Sequence, residues 1–448
     1  MKRKGWIANI ALVLAGCCVA VVLVEISLRV FGISYPYFYI PDNLTGYSHK
    51  PGAYGLWQKE GEAFITINSA GLRDREHRVE KPAGTFRIAV LGDSYTEAMQ
   101  VPMEQTYWAR IEQELKGCSA LAGRRVEVVN FGVSGYSTAQ ELLVLRHKVQ
   151  PYHPDLVLLA FFTGNDIRGN VRDLNRDAIR PYFVMKDGRL VLDDDFRYST
   201  EFWLQGLPFS SDAFEFSRIL QVFREAKYKL KAYLQEYYHQ QRMNGREKSG
   251  IDLDAMVYLA PVDPLWEQAW MISEELLVLA KREAERGGSR FLLVSLSNPD
   301  QVHPDLNHRL KVARQLGVPD LFYPERRLEA FATREGIDFV SLAKPLAIYA
   351  EQQGILLHGF ENAHMGQGHW NASAHEFAGH LTSERICAML VSSKSVVPER
   401  LPYLYAWSFL SQEEILNGLE GEWGGGEALG SFHVAIAGIV PAGHLSHV

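Results

Sequence analysis

Cysteine is scarce in this chain, with four in 448 residues. Cys17 and Cys18 sit inside an apolar run, leaving Cys118 and Cys387 as the only candidates for a bridge in the folded body. A disulfide framework of the kind that staples small secreted domains is therefore excluded, and no Cys/His spacing of a zinc site occurs. Charge of one sign is lacking too. The 46 basic and 53 acidic residues leave a formal charge of −7 without long single-sign blocks, which argues against a nucleic-acid partner. No internal repeat is present. What the chain has in ordinary supply is core material, at 47% apolar and 22% charged residues. Its length exceeds what one hydrophobic core fills, so one enlarged domain with insertions and accessory segments is expected.

The single long apolar run is N-terminal. Met1-Lys2-Arg3-Lys4 is basic, and residues 6–24 (WIANIALVLAGCCVAVVLV) are apolar apart from Asn9 and Gly16. Nineteen residues at 1.5 Å rise give about 28 Å, close to the roughly 30 Å hydrocarbon core of a bilayer. The expectation is a single-pass membrane anchor with its basic flank in the cytoplasm and the remaining chain exported. Two other readings compete with it. Leu14-Ala15-Gly16-Cys17 resembles a lipoprotein cleavage box, although the apolar stretch continues past Cys17 where polar residues normally follow. A cleaved signal peptide is disfavoured by the length of the run and the absence of a clean small-x-small site.

The expected organisation is an anchor over 1–32, an irregular Pro-, Gly- and Tyr-rich cap over 33–85, a catalytic domain over 86–393 with an insertion at about 170–262, and a loosely ordered tail over 394–448. In the cap only residues 63–68 alternate as a short strand would. From Arg87 short β-branched runs alternate with helical stretches. The runs are 87–93, 126–132, 155–162, 291–297 and 337–342, and helices are predicted near 105–116, 137–150, 265–286, 325–335 and 373–391. This alternation predicts an α/β fold with a five-stranded parallel sheet between two helical layers. The insertion contains an amphipathic helical candidate from Phe214 to Gln241, with Arg224, Lys227, Lys229 and Lys231 on its polar face, and no strong buried strand. It reads as a cover for the core, with a lid or membrane-contacting face as the alternative.

Four short motifs carry the chemistry. Leu91-Gly92-Asp93-Ser94 follows the first strand and precedes a helix; a serine there faces the crevice at a strand's C-terminal end, although a serine at a helix start is commonly just an N-cap. Asn130 to Gly135 (NFGVSG) ends the second strand, and Thr163-Gly164-Asn165-Asp166 ends the third. Gly368-His369-Trp370-Asn371 precedes the last helix, whose start is marked by the capping-box pattern Ser373-x-x-Glu376. In an open α/β sheet all four would meet at one edge.

These four blocks, in this order, resemble the SGNH (GDSL) hydrolase superfamily, and the likeness spans roughly residues 85–170 and 260–393. The anchor and residues 66–74 (TINSAGLRD) look like those of bacterial members with membrane-tethered, exported domains. The resemblance implies a flavodoxin-like three-layer fold, Ser94 as nucleophile, His369 as general base, and an oxyanion hole built from the Ser94 and Gly135 N–H groups and the Asn165 side-chain amide. It implies no metal or cofactor. Members of the superfamily usually carry an acid two or three residues before the histidine, where this chain has Gln367 and Gly366. A Ser-His dyad with a backbone carbonyl at the imidazole is the favoured expectation, and a carboxylate such as Glu361 arriving from elsewhere is the other.

The implied substrate is a carboxylic ester, of acetyl or short acyl type, on a small molecule or an acylated polysaccharide. An O-acyltransferase acetylating an exopolysaccharide with the same residues, and a catalytically silent envelope module, are the competing functions. Asp93 and Asp166 are expected to brace the turns that carry Ser94 and Asn165. Trp266 and Trp270, at i and i+4, are expected to be core or insert-facing aromatics, with a sugar platform as the alternative. His303, His358, His364 and His375 form no pattern of a metal site.

Overall fold

The computed structural model describes residues 2–175, 177–205, 216–227, 229–230, 233–234 and 253–392. The expected tail and part of the Phe214–Gln241 helix lie outside the described residues, and 218–227 are helical. Helix α1 (Lys2–Val30) is the one described helix long and apolar enough to cross a membrane, over Asn9–Val30.

Five strands, β5 (Thr85–Leu91), β6 (Arg125–Asn130), β7 (Leu156–Phe161), β10 (Arg290–Ser295) and β11 (Asp338–Ser341), form one parallel sheet in the order β11-β10-β7-β5-β6. Every residue of β5 and β7 is buried, as required of central strands covered on both faces. The alternation of side chains sorts the sheet residues into two cores. Ala89, Leu91, Val157, Leu159 and Leu293 pack with α4 (Thr138–Val144) and with the helices Pro264–Arg286 and Tyr323–Glu335. Ile88, Val90, Leu158, Ala160 and Val294 pack with α3 (Tyr107–Glu114) and with the helices Ala343–Gln353 and Ala372–Ser392. The expected three-layer architecture is therefore present, and its strand order reverses between β5 and β7. Such a reversal opens a crevice at the strands' C-terminal ends.

Several elements differ from expectation. The cap is more regular than its composition suggests, with hairpins β1 (Tyr39–Asp42)/β2 (Gly46–His49) and β3 (Tyr54–Trp57)/β4 (Ala63–Thr66). The insertion holds a third hairpin, β8 (Tyr182–Lys186)/β9 (Arg189–Asp193), with Tyr182 and Phe183 buried. Its turn is Asp187-Gly188, both at positive φ, a dipeptide suited to a two-residue hairpin turn. The final helix begins at Ala372, so Ser373 lies inside it; Asn371 accepts from the Ala374 N–H at 3.2 Å and takes the capping role expected of Ser373. Trp266 and Trp270 are core residues.

Cys118, which follows α3, is bonded to Cys387 in the last helix, across 269 residues of sequence. Closing so long a loop restricts the unfolded chain, and bridges of this kind contribute roughly 2–5 kcal/mol. Cys387→Ser, or reduction of the wild type, is accordingly expected to lower Tm by several degrees in a thermal melt. Identical melts in reducing and non-reducing buffer would mean that the two sulfurs are not joined in the folded protein.

Candidate active site

Ser94 opens the short helix α2 (Ser94–Glu97) directly after β5. Asp93, not Ser94, caps that helix: its Oδ1 accepts from the Tyr95 N–H at 3.0 Å. This leaves the Ser94 hydroxyl for another partner, His369 Nε2 at 2.8 Å. Ser94 is 9% exposed and lies beside the partly exposed His369 side chain.

The other face of the imidazole resolves the question of the acid. His369 Nδ1 lies 2.5 Å from Glu60 Oε2, and the His369 backbone N–H donates to Glu60 Oε1 at 2.7 Å. Glu60 sits in the turn between β3 and β4, so the dyad expected from Gly366 and Gln367 is corrected to a triad whose acid comes from the cap. Glu361 and Gln367 are exposed. Two clamps hold the turn. Asn362 accepts from the Gly61 N–H at 2.9 Å and donates to the Gly61 carbonyl at 2.9 Å, while Trp57 Nε1 donates to the Glu60 carbonyl at 2.9 Å. Gly368 is required by the same contact: a Cβ there would meet Glu60 Oε1 at 2.2 Å, and its φ is +74°.

The histidine loop is fixed from beneath. The Gly368 carbonyl accepts from the Tyr95 hydroxyl at 3.0 Å and from His358 Nδ1 at 2.8 Å. His358 Nε2 then faces Ser297 Oγ at 3.2 Å, and Ser297 accepts from Trp370 Nε1 at 2.8 Å. Burial lowers the His358 pKa to about 4, so this ring stays neutral and acts as a strut.

Asn165 lies at the start of α5 (Thr163–Gly169), after β7, and donates from Nδ2 to Asp93 Oδ2 at 2.6 Å. Burial pushes the Asp93 carboxyl up to about 6. Asp166 Oδ2 accepts from the Phe162 N–H at 2.7 Å. Both aspartates thus brace the turns they belong to. Gly135, after β6, is exposed at a φ of +75°. Among the described residues no hydrogen bond occupies the N–H of Ser94 or of Gly135. The sheet therefore brings Ser94, Gly135, Asn165 and His369 to one edge, and the cap adds Glu60.

Electrostatics suit a base. Burial works to lower the His369 pKa, but the Glu60 carboxylate outweighs it and the imidazole titrates above its ordinary 6.5. Burial likewise opposes ionisation of Glu60, and its hydrogen bond to His369 nonetheless holds the carboxyl below the ordinary value. The two shifts agree in describing an ion pair when the ring is protonated. A serine hydroxyl facing an imidazole that is held in turn by a carboxylate is the arrangement by which a serine can be activated for attack.

No family model matches the chain. No curated protein matches it either. Among solved structures, an acetyl xylan esterase is similar at 12% identity over 68% of this chain and 99% of that one, with a TM-score of 0.34. An acetylxylan esterase from Geobacillus stearothermophilus, crystallised as a catalytic mutant, is similar at 11% identity over 67% and 94%, with a TM-score of 0.33. A GDSL-like lipase from Bacteroides thetaiotaomicron is similar at 10% identity over 68% and 88%, with a TM-score of 0.28. Likenesses this distant say nothing of the activity of this chain, which has to be read from its site.

Only neutral His369 can take a proton, so the reactivity of Ser94 must fall as pH drops through a value above 6.5. In Glu60→Gln burial acts on the ring with its largest counterweight gone, leaving only the weaker fields of Asp93 and Glu97 against it. The rate of Ser94 labelling by a fluorophosphonate probe is expected to fall about 10²- to 10⁴-fold, and its acid limb to move to lower pH. An unmoved acid limb in that variant would remove Glu60 from the triad.

Proposed function

We propose that the protein is a serine ester hydrolase of the SGNH/GDSL type, acting on acetyl or short acyl esters outside the cytoplasm. The observation that carries this reading is the continuous chain from Ser94 Oγ to His369 Nε2 at 2.8 Å and from His369 Nδ1 to Glu60 Oε2 at 2.5 Å. Ser94 Oγ attacks the ester carbonyl carbon as Nε2 takes its proton, giving a tetrahedral oxyanion and an imidazolium paired with Glu60. The Ser94 and Gly135 N–H groups and the Asn165 amide are the donors for that oxyanion, with Asp93 holding the amide. Collapse expels the alcohol, which leaves with the proton from Nε2, and an acyl group remains on Ser94. Water then enters, gives its proton to Nε2 and attacks the acyl carbon; the second oxyanion collapses to acid and free serine.

A catalytically silent module was motivated by the missing acid, and Glu60 at the imidazole takes that motivation away. Transfer of the acyl group to a sugar hydroxyl would use the same residues with a different acceptor, and water is the simpler acceptor for an open crevice.

Full-length protein in detergent is expected to hydrolyse p-nitrophenyl acetate. Ser94→Ala and His369→Ala should each reduce kcat by roughly 10⁴-fold or more. Undiminished hydrolysis by Ser94→Ala would end this reading; wild type that accumulates acyl-Ser94 but turns over only when a glycan is added would favour transfer.

Export is supported by two features. The basic residues at the start of α1, Lys2 to Lys4, belong on the cytoplasmic side, and the Cys118–Cys387 bridge belongs to an oxidising compartment. Alkaline phosphatase fused after residue 40 should therefore be active in a bacterial host. A fusion that is expressed but inactive, with a fluorescent cytoplasmic reporter at the same point, would reverse the topology.

A further inference from the structure

The mechanism above needs the Gly135 N–H to face the crevice, yet the glycine has no side chain to hold it there. A trans peptide unit points its C=O and N–H in opposite directions, and the described chain has no cis peptide. The direction of the Gly135 N–H is thus set by whatever holds the carbonyl of Ser134. That carbonyl accepts from the Tyr47 hydroxyl at 2.8 Å. The following carbonyl, of Gly135 itself, accepts from Arg180 Nη1 at 3.2 Å. Both ends of the glycine are therefore fixed by side chains from outside the sheet. The hydroxyl also lies where a side chain at 135 would be, since a Cβ there would meet Tyr47 Oη at 2.6 Å.

Tyr47 is itself held firmly. It lies on β2, whose backbone is pinned by the residues that follow the glycine: the Tyr136 hydroxyl donates to the Tyr47 carbonyl at 2.6 Å and Gln140 Nε2 to the Thr45 carbonyl at 2.8 Å. Its ring packs on that of Tyr136, with centroids 5.6 Å apart. Burial, against the pull of Arg180, raises its pKa above the ordinary tyrosine value, so the hydroxyl remains a donor across the working range.

We propose that Tyr47 is a positioning residue for the oxyanion hole: by holding the Ser134 carbonyl on the cap side, it presents the Gly135 N–H to the oxygen that becomes charged when Ser94 attacks. The proposal rests on the ester-hydrolase reading of the site. It gives the cap a second part in the chemistry beside Glu60, acting through a backbone group and not on the substrate.

Tyr47→Phe removes one oxygen and keeps the ring. With full-length protein and p-nitrophenyl acetate, kcat is expected to fall roughly 10- to 100-fold, part of the 10²–10³ that loss of an oxyanion donor costs. KM and the acid limb set by His369 should stay where they are. The Ki of benzeneboronic acid, whose tetrahedral adduct on Ser94 mimics the oxyanion, should rise by the same factor as kcat falls. A Tyr47→Phe variant as fast as wild type overturns the proposal and leaves the ester-hydrolase reading intact. A variant whose KM or acid limb moves while the boronate Ki does not also overturns it, because the hydroxyl would then serve binding or the base. Wild type that neither hydrolyses esters nor labels at Ser94 overturns the reading of the site and the proposal together.

Discussion

A neutral imidazole carries one ring proton, and if Nε2 is to take the proton of Ser94 that one must sit on Nδ1. In a partly buried site, an Nδ1–H without an acceptor would be a costly orphan and the ring would be free to adopt the other tautomer. Glu60 removes both problems with one carboxylate, since Oε2 takes Nδ1 and Oε1 takes the His369 backbone N–H. The second bond matters as much as the first, because it ties the carboxylate to the loop as well as to the ring. The identity of Gly368, the turn between β3 and β4, and the strut formed by His358 all follow from bringing these two segments together.

The same logic explains why the segment before the sheet is built into it. Arg73 is buried and donates to the Glu97 carbonyl at 2.8 Å, at the C-terminal end of the helix that Ser94 opens, and to the Val101 carbonyl at 2.5 Å in the segment that follows. A four-residue helix has few intrahelical bonds, so its terminal carbonyls need such partners. Asp74 accepts from the Asn130 N–H at 2.9 Å, and Asn130 returns a bond to the Arg73 carbonyl at 3.1 Å. Glu97 is held by His49 Nε2 at 2.5 Å and by the Tyr39 hydroxyl at 2.8 Å. The cap thus reaches the helix that Ser94 opens by residues 39, 49 and 73, His369 by residue 60 and the Gly135 turn by residue 47.

This division accounts for what could be read from the sequence. The five parallel strands are visible as short β-branched and apolar runs; β7, buried on both faces, is apolar throughout, and β5 is so from Ile88 onward. Ser94, Gly135, Asn165 and His369 are visible because each sits at a fixed place relative to a strand or the last helix. Glu60 is not, because 309 residues separate it from His369 and only the folded cap brings them together; a charged residue before a glycine in a hairpin turn is the sole local sign. Tyr47 is less legible still. It acts on a backbone carbonyl, and a carbonyl leaves no signature in a sequence. The β8/β9 hairpin has a local sign, Asp187-Gly188 between two apolar segments, but it covers a core from outside and so lacks the continuous apolar run of a central strand.

The insertion also touches the machinery, and magnitudes decide how much that matters. Glu25 of α1 accepts from the backbone N–H groups of Arg218 at 2.9 Å and Ile219 at 3.1 Å, so the start of helical segment 218–227 is tied to α1. Further along the segment Glu225 pairs with Lys59 at 2.9 Å, one residue from the triad acid. The Lys59 side chain is 50% exposed, and ion pairs of that kind contribute at most about 1 kcal/mol and weaken with salt. The partly buried hydrogen bonds of Asn362 to Gly61 and of Trp57 to Glu60 are each worth about as much, and there are three of them. Together they outweigh the ion pair and are indifferent to ionic strength. Glu60 is therefore placed by its own hairpin and by residue 362, while the insertion links α1 to the cap without governing the position of Glu60.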